Sequence, residues 1–339
     1  MSLPDSAYLQ FTPDLRICRV LNGMWQVSGA HGAINPERAV RQMFAFHDAG
    51  FTTWDLADHY GPAEDFIGDF RRALGDERGP AALAQSQAFT KWVPRPTRIT
   101  RALVEEAVGV SLRRMGVEAL DLLQFHWWDY AHPGYLDALL YLAELRDEGK
   151  IRHLALTNFD TERLRQITER GIRVVSNQVQ YSLVDQRPDV EMATYCQQHG
   201  IALLAYGTLA GGLLTDRYIG LPEPPYRTLE TASLQKYKGM VDAWGGWTLL
   251  QELLKALNTV ARKHGVSVAN VATRAILDRP TVAGVIIGAR LGLAEHLADT
   301  ARVFALTLDD EDRALIASVT ARGADLFHLI GDCGDEYRR

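Results

Sequence analysis

The sequence predicts an α/β fold of the closed (β/α)8 barrel type, and three observations carry that expectation. From residue 36 onward, short apolar runs rich in Val, Ile, Leu and Phe alternate with amphipathic stretches, the pattern of parallel βα units rather than of hairpins. Eight such runs occur, at about residues 20–24, 51–54, 88–91, 121–125, 153–156, 174–177, 201–205 and 284–287, and eight units close a barrel. The residues that end the runs are unusually polar, as the C-terminal mouth of such a barrel requires.

The elements follow in order. AYLQFTPDLRIC, ahead of the first run, alternates enough to form a short hairpin that would plug the bottom of the barrel. Helices are expected in PERAVRQMFAFHDAG, AEDFIGDFRRAL, TRALVEEAVGVSLRRMG, YLDALLYLAELRDEGK, TERLRQITERG, DVEMATYCQQHG and SVANVATRAILDRP, several of which stop at a glycine suited to a C-cap. About eighty residues separate the seventh and eighth runs. Their first part, residues 216–247, is rich in Pro, Gly and Tyr and reads as a long functional loop. Their second part, TLLQELLKALNTVARKHG, has helical periodicity and reads as an extra helix. DDEDRALIASVTARG, after residue 308, is a last helix with acidic residues at its start. Neither a fixed-period repeat nor a low-complexity linker divides the chain, so one domain spanning 1–339 is expected.

With 339 residues, 47% hydrophobic and 23% charged, the chain can bury a large core. A net charge of −6 without blocks of like charge makes nucleic acid and membrane surfaces poor partners. The opening MSLPDSAYLQFTPDL lacks the basic and apolar regions of a leader, and no run approaches the roughly 18 apolar residues of a membrane span, so a soluble, cytoplasmic protein is expected. Cys18, Cys196 and Cys333 lie far apart and outside any CxxC spacing, so they read as reduced packing residues. Oligomeric state is left open.

The run ends read TTWDLADHYG, FTKW, LLQFHWWD, LALTNF, SNQVQY, LLAYGTL and VIIGAR. They bring Asp55, Tyr60, Lys91, His126, Thr157, Asn158, Gln178 and Tyr206 toward one cavity. Taken singly, Asp55 reads equally well as a turn residue, His126 as a satisfied core histidine and Tyr60 as a loop aromatic. Lys91 is harder to read that way, because a lysine at the end of a core strand is rarely buried unpaired, and Asp55 on the neighbouring strand is its obvious partner. Jointly, the four suit proton delivery to an oxygen while hydride reaches the adjacent carbon. Tyr60 would be the acid, Lys91 would ease its ionisation, Asp55 would hold Lys91, and His126 would donate a hydrogen bond to the substrate oxygen.

On these residues the chain resembles the aldo-keto reductase family. The family's tetrad appears as Asp55, Tyr60, Lys91 and His126, in DLADHY, FTKW and DLLQFHW, and the likeness runs from GMWQ to IIGAR, with GKIRHLALTNF and NQVQYSL especially close. The resemblance implies reduction of an aldehyde or ketone to an alcohol by a nicotinamide cofactor, with Tyr60 as acid in reduction and base in reverse. It implies a cofactor lying across the mouth, in keeping with the absence of a GxGxxG after any strand. Thr157, in place of the more usual Ser, would hydrogen-bond the carboxamide with Asn158 and Gln178, while Tyr206 would stack on the ring, and Gly23, Met24 and Asp55 would lie beside it. Gly207, Thr208, Leu209, Gly211, Leu213 and Arg217 would approach the pyrophosphate, where glycines leave room for the backbone. Gly288, Ala289, Arg290, His296 and Asp299 match the adenosine end. Arg290 and His296 depart from the commonest pattern there, and Arg290 points to NADPH, with NADH the alternative.

Trp25 and Trp127 are expected to touch substrate beside Tyr60 and His126, whereas Trp54 and Trp92 should point out of the barrel by strand alternation. Trp128 is left open. The pocket is then aromatic and fits carbonyl compounds with apolar or sugar-like bodies, among which the 216–247 loop and the C-terminal DLFHLIGDCGDEYRR could choose by folding over the mouth. Two other readings compete: a nucleotide-sensing regulatory subunit with little turnover, which the complete tetrad opposes, and a metal-dependent barrel hydrolase using His126 and His132, which lacks the HxH pair expected of one.

Overall fold

The computed structural model describes residues 3–29, 34–293 and 296–338. The chain opens on an antiparallel hairpin, β1 (Tyr8–Thr12) and β2 (Leu15–Cys18). Eight parallel strands follow: β3 (Val20–Gly23), β4 (Thr53–Asp55), β5 (Gln87–Trp92), β6 (Leu120–Phe125), β7 (Ile151–Thr157), β8 (Ser176–Gln180), β9 (Ala202–Tyr206) and β10 (Val282–Gly288). They close in sequence order, with β10 returning to β3, so the expected barrel is the observed one. Each expected run lies within two or three residues of its strand, the margin at which strand ends are fixed by pairing rather than by composition.

Apolar residues fill the lower interior and polar residues the upper. Leu15 and Ile17 of the hairpin join Leu21, Phe89, Leu122, Ala155, Leu204 and Ala283 in one cluster, so the hairpin plugs the bottom as expected. One layer further out, Trp54 and Trp92 pack between strands and helices: Trp54 against Phe46 and Phe70, Trp92 against Phe125.

The helices form where capping and amphipathicity agree. They are α1 (Pro36–Asp48), α2 (Ala63–Arg78), α3 (Pro80–Gln85), α4 (Arg101–Met115), α5 (Tyr135–Asp147), α6 (Thr161–Glu169) and α7 (Met192–His199), then α8 (Ala232–Trp244), α9 (Gly246–His264), α10 (Val268–Leu277), α11 (Leu297–Ala301), α12 (Asp310–Thr320) and α13 (Leu326–Ile330). Asn35, Thr100, Asp160, Ser267 and Asp309 each accept a backbone N–H from the first turn of the helix they precede.

The segment expected to be an irregular loop contains α8. Thr231 caps it, and Tyr237, Val241 and Trp244 recur at helical spacing and bury against α9. Gly220 and the three prolines of 220–225 make the whole stretch look irregular, yet they belong only to the approach to α8. No helix of the described residues is long and apolar enough to cross a membrane.

Candidate active site

Strand register assembles the centre of the mouth. Gly23 on β3 lies beside Asp55 on β4, Lys91 on β5 beside Gln124 on β6, and Thr157 on β7 beside Gln178 on β8. Asp55 and Lys91 are both buried, and Lys91 Nζ donates to Asp55 Oδ2 at 2.7 Å and to the carbonyl of Leu56 at 3.0 Å. The other carboxylate oxygen, Asp55 Oδ1, accepts from Gln124 Nε2 at 2.9 Å and Gln178 Nε2 at 2.6 Å. Gln178 also donates to Gln124 Oε1 at 2.7 Å. The buried charge is thus paired and its lone pairs are filled, the condition under which an ion pair is tolerated inside a protein.

Tyr60 stands over this network, with Lys91 Nζ 5.2 Å from its ring centre. Burial, then the charges of Asp55, Tyr337 and Asp58, raise its pKa well above the usual phenol value. Lys91, expected to ease that ionisation, directs its hydrogen bonds to Asp55 and Leu56, and burial pulls its own pKa down against the opposing pull of Asp55. The phenol is a firm holder of its proton.

His126 is corrected. Its Nδ1 lies 3.1 Å from the carbonyl of Thr157; a carbonyl only accepts, so Nδ1 carries the proton. Burial, opposed by that bond and reinforced by Arg338, pushes the pKa down to about 3, so the ring is neutral and Nε2 presents a lone pair. That atom is buried without a protein partner among the described residues. It is an acceptor in this tautomer, not the expected donor to a carbonyl oxygen.

Aromatic walls flank the pair. Trp25 meets Tyr60 edge-on at 5.0 Å, and His59 does so at 4.9 Å on another side. Trp127, expected to touch substrate, is turned away: it is fully buried, and its indole N–H bonds the carbonyls of Asp129 and His132. Trp128 takes its place, edge-on to His126 at 4.4 Å and 37% exposed. After an inward His126 the next residue on the strand line points outward, which turns Trp127 away from the mouth and leaves Trp128 to face it, so strand alternation, applied here as to Trp54 and Trp92, would have chosen the other indole.

On the expected cofactor side, Thr157 Oγ1 donates to the carbonyl of Gln178 at 3.2 Å, and Gln178 is committed to Asp55. Asn158 has a positive φ of 59° and accepts from the Tyr206 hydroxyl at 2.8 Å. The glycines of the following loop have a packing reason beyond the expected access: a Cβ at Gly207 would stand 2.3 Å from the Tyr237 hydroxyl, and one at Gly211 2.8 Å from the Tyr237 ring. They let α8 lie on the loop. Leu213 is buried in the core around α8 and α9 and Leu209 packs against it, while Thr208 Oγ1 is buried without a protein partner. Arg217 is exposed, its guanidinium against the Tyr218 ring.

At the seam, Gly288 pairs with Gly23, Ala289 N–H bonds the Gly23 carbonyl, and Met24 is fully buried, so a contact from Met24 to a ligand would be through its backbone. Arg290 is exposed and lines a small cleft with His296, Asn22, Gly288 and Thr300. Asp299, expected near the adenine, instead accepts from Ser267 Oγ at 2.8 Å and Asn270 Nδ2 at 3.1 Å, which ties it to the start of α10.

Gln124 went unread, Trp128 was left open, and Lys236, Glu336 and Tyr337 were legible only as parts of the two segments that could fold over the mouth. Gln124 carried a signal, a glutamine inside LDLLQF in phase with His126 two residues on. Nothing local in the sequence places Lys236 or Tyr337 at the mouth.

Asp55, Tyr60, Lys91 and His126 thus share one polar mouth on a closed parallel barrel. The Aldo/keto reductase family model matches residues 19–321, and the chain belongs to that family. It is 31% identical over 284 residues to flagellar radial spoke protein 5 of Chlamydomonas reinhardtii, covering 72% of this chain and 52% of that protein, so the chain spans about half the length of that relative. It is 28% identical over 323 residues to the L-glyceraldehyde 3-phosphate reductase of Escherichia coli O157:H7, covering 91% and 90%. The solved glycerol dehydrogenase AKR11B4 from Gluconobacter oxydans superposes with a TM-score of 0.76 at 25% identity, covering 97% of this chain and 98% of that one.

Proposed function

We propose that the protein reduces an aldehyde or ketone to an alcohol with NADPH, and that Tyr60 is the general acid. The observation that carries this reading is the buried Asp55–Lys91 pair beneath a phenol that holds its proton, with His126 on the same mouth. The residues present fit a nicotinamide dinucleotide. Arg290 offers a guanidinium with no acceptor among the described residues beside His296, and Thr208 holds a buried hydroxyl with no protein partner in the loop expected to meet the pyrophosphate. When bound, the cofactor supplies hydride to the carbonyl carbon.

Tyr60 donates its proton as negative charge grows on the substrate oxygen. A raised pKa suits this direction, because the proton leaves only when an alkoxide-like oxygen is there to take it. Lys91, fixed by Asp55 and the Leu56 carbonyl, then stands 5.2 Å from the ring of the phenolate left behind. His126 Nε2 accepts a hydroxyl hydrogen, either of the nascent alcohol or of a neighbouring hydroxyl. Trp25 and Trp128 border the approach.

A nucleotide-binding subunit with little turnover is the second reading, favoured by the likeness to a radial spoke protein. One experiment separates them. Wild-type protein should oxidise NADPH in the presence of simple aldehydes, and Tyr60→Phe should lose that turnover while still quenching tryptophan fluorescence on binding NADPH. Binding without turnover by the wild type supports the second reading; wild-type rates in the variant remove Tyr60 from the acid role.

A further inference from the structure

A phenol that gives up its proton must be given another before it can act again, and most neighbours of Tyr60 are poorly placed to supply one. Lys91 directs its hydrogen bonds to Asp55 and the Leu56 carbonyl, all three buried. His126 keeps its proton on Nδ1, against the Thr157 carbonyl, and presents only a lone pair at Nε2. Tyr337, whose ring lies 6.2 Å from that of His126, has its hydroxyl against Lys236 and Tyr206. The ionisable neighbour most open to water is His59. Its side chain is 45% exposed, against 26% for Asp58 and 4% for Asp55 and Lys91, and its ring stands edge-on to the phenol at 4.9 Å.

The imidazole is held in one orientation. His59 Nδ1 lies 2.9 Å from Asp58 Oδ1, and a carboxylate only accepts, so Nδ1 carries a proton and Nε2 is the atom that takes one up and releases it. Asp58 is itself fixed. Its N–H donates to the Lys91 carbonyl at 2.9 Å, its Oδ2 accepts the Val93 N–H at 3.2 Å, and its carbonyl accepts from Arg114 Nη1 at 3.3 Å. Arg114 also meets Glu64, a buried carboxylate at the start of α2 that accepts from Thr90 Oγ1 at 2.7 Å. The segment DLADHYG between β4 and α2 is thus tied to β5 and α4 around His59. Trp25 flanks the same imidazole, 6.4 Å between ring centres. A charge on His59 reaches His126 and adds to the downward pull on its pKa, so the imidazole belongs to the mouth and not to the outer surface.

We infer that His59 is the proton relay of this site, returning a proton from water to Tyr60 after each reduction, and that Asp58 is the positioning residue that sets its tautomer. The inference rests on the reductase reading above. As the carbonyl carbon receives hydride, Tyr60 gives its proton to the oxygen; the alcohol O–H forms and a phenolate remains. Protonated His59 then gives up its Nε2–H, the Tyr60 O–H forms again, and the neutral imidazole takes a proton from solvent. Each alcohol released accounts for one hydride and one solvent proton.

The test measures kcat and KM for propanal with NADPH, in dilute buffer at alkaline pH where hydronium is scarce, for wild type, His59→Ala and Asp58→Asn. A positioned proton donor contributes roughly a hundredfold or more and water makes up part of its loss, so kcat of His59→Ala should fall by about tenfold or more. KM for propanal and Kd for NADPH should stay within about twofold, since neither contact is removed. Added imidazole should restore kcat of His59→Ala in proportion to its concentration and leave wild type unchanged. Asp58→Asn keeps the ring and should lower kcat by less; it carries the test should the alanine variant fail to fold. A further readout needs no turnover: nitrogen NMR of the protein alone should find neutral His59 as the Nδ1–H tautomer in wild type and as a mixture in Asp58→Asn. With an active wild type, an unchanged kcat in His59→Ala overturns the relay, as does a loss that imidazole leaves untouched. A change confined to KM overturns it too, by making His59 a wall of the pocket. A neutral His59 protonated on Nε2 in wild type overturns the role of Asp58. Wild-type protein that turns over no simple aldehyde overturns the reductase reading, and this inference with it.

Discussion

The ammonium of Lys91 sits 5.2 Å from the centre of the Tyr60 ring, yet its hydrogen bonds run to Asp55 and to the Leu56 carbonyl. Lys91 is therefore first a counter-ion for a buried carboxylate and only secondarily a neighbour of the phenol. Replacing it by methionine strands Asp55 with two amide donors and no cation. Such a broken buried pair costs about 3–5 kcal/mol, so the urea midpoint of Lys91→Met should fall steeply. The double variant Lys91→Met, Asp55→Asn should recover much of the loss. A double variant as unstable as the single would show that the pair does not govern stability at the mouth.

His126 links the site to pH. Its folded pKa of about 3 lies below the ordinary 6.5, so under acid the unfolded chain takes a proton that the folded protein refuses. The sign follows directly: the contribution to stability is intact above pH 6.5 and is lost as pH falls from 6.5 toward 3, at about 1.4 kcal/mol per unit. Wild type should lose stability faster than His126→Gln over that window, as read from denaturant melts at pH 7, 6 and 5. Parallel curves would place the histidine's pKa near its unperturbed value. Asp160, raised to about 6 by burial, acts in the opposite sense, and the paired comparison cancels it.

Arg290 tests the choice of nucleotide. If its exposed guanidinium meets the 2′-phosphate, Arg290→Ala should weaken NADPH by about tenfold or more, the worth of a charge-assisted hydrogen bond, and leave NADH nearly unchanged. Equal losses for the two cofactors would move the phosphate elsewhere.

The neighbouring indoles should behave as opposites. Trp127→Ala removes a buried ring with two acceptors for its N–H and should cost about 3–5 kcal/mol of stability. Trp128→Ala removes an indole 37% exposed at the rim; it should leave the melting temperature close to wild type and raise KM for the aldehyde. A KM effect confined to Trp127→Ala would reverse the assignment.

The barrel was legible because a strand buried on both faces must be apolar along its length, and that pattern survives in a single sequence. Asp55, Lys91 and Gln178 were legible for a related reason, since a charge or amide at the end of such a run needs a partner and the adjacent strand ends offer one. Three things could not be read. The proton on His126 depends on which atom the Thr157 carbonyl faces, a matter of ångströms. The upward shift of the Tyr60 pKa depends first on how far the folded mouth buries its hydroxyl, then on Asp55. Tyr337 reaches the mouth through Arg187 and Glu336, 149 residues apart in the chain, and no local pattern encodes a pairing at that separation. The same holds for α8, whose cap and spacing were present but were outweighed by the prolines before them.

The hairpin under the barrel has a kinetic meaning. Because Leu15 and Ile17 stopper the lower end, a nucleotide and a carbonyl compound bound as proposed above would share the upper mouth. Whichever occupant sits deeper must arrive before the other and depart after it. Product inhibition patterns of a compulsory sequence would then reveal which of the two sits deeper.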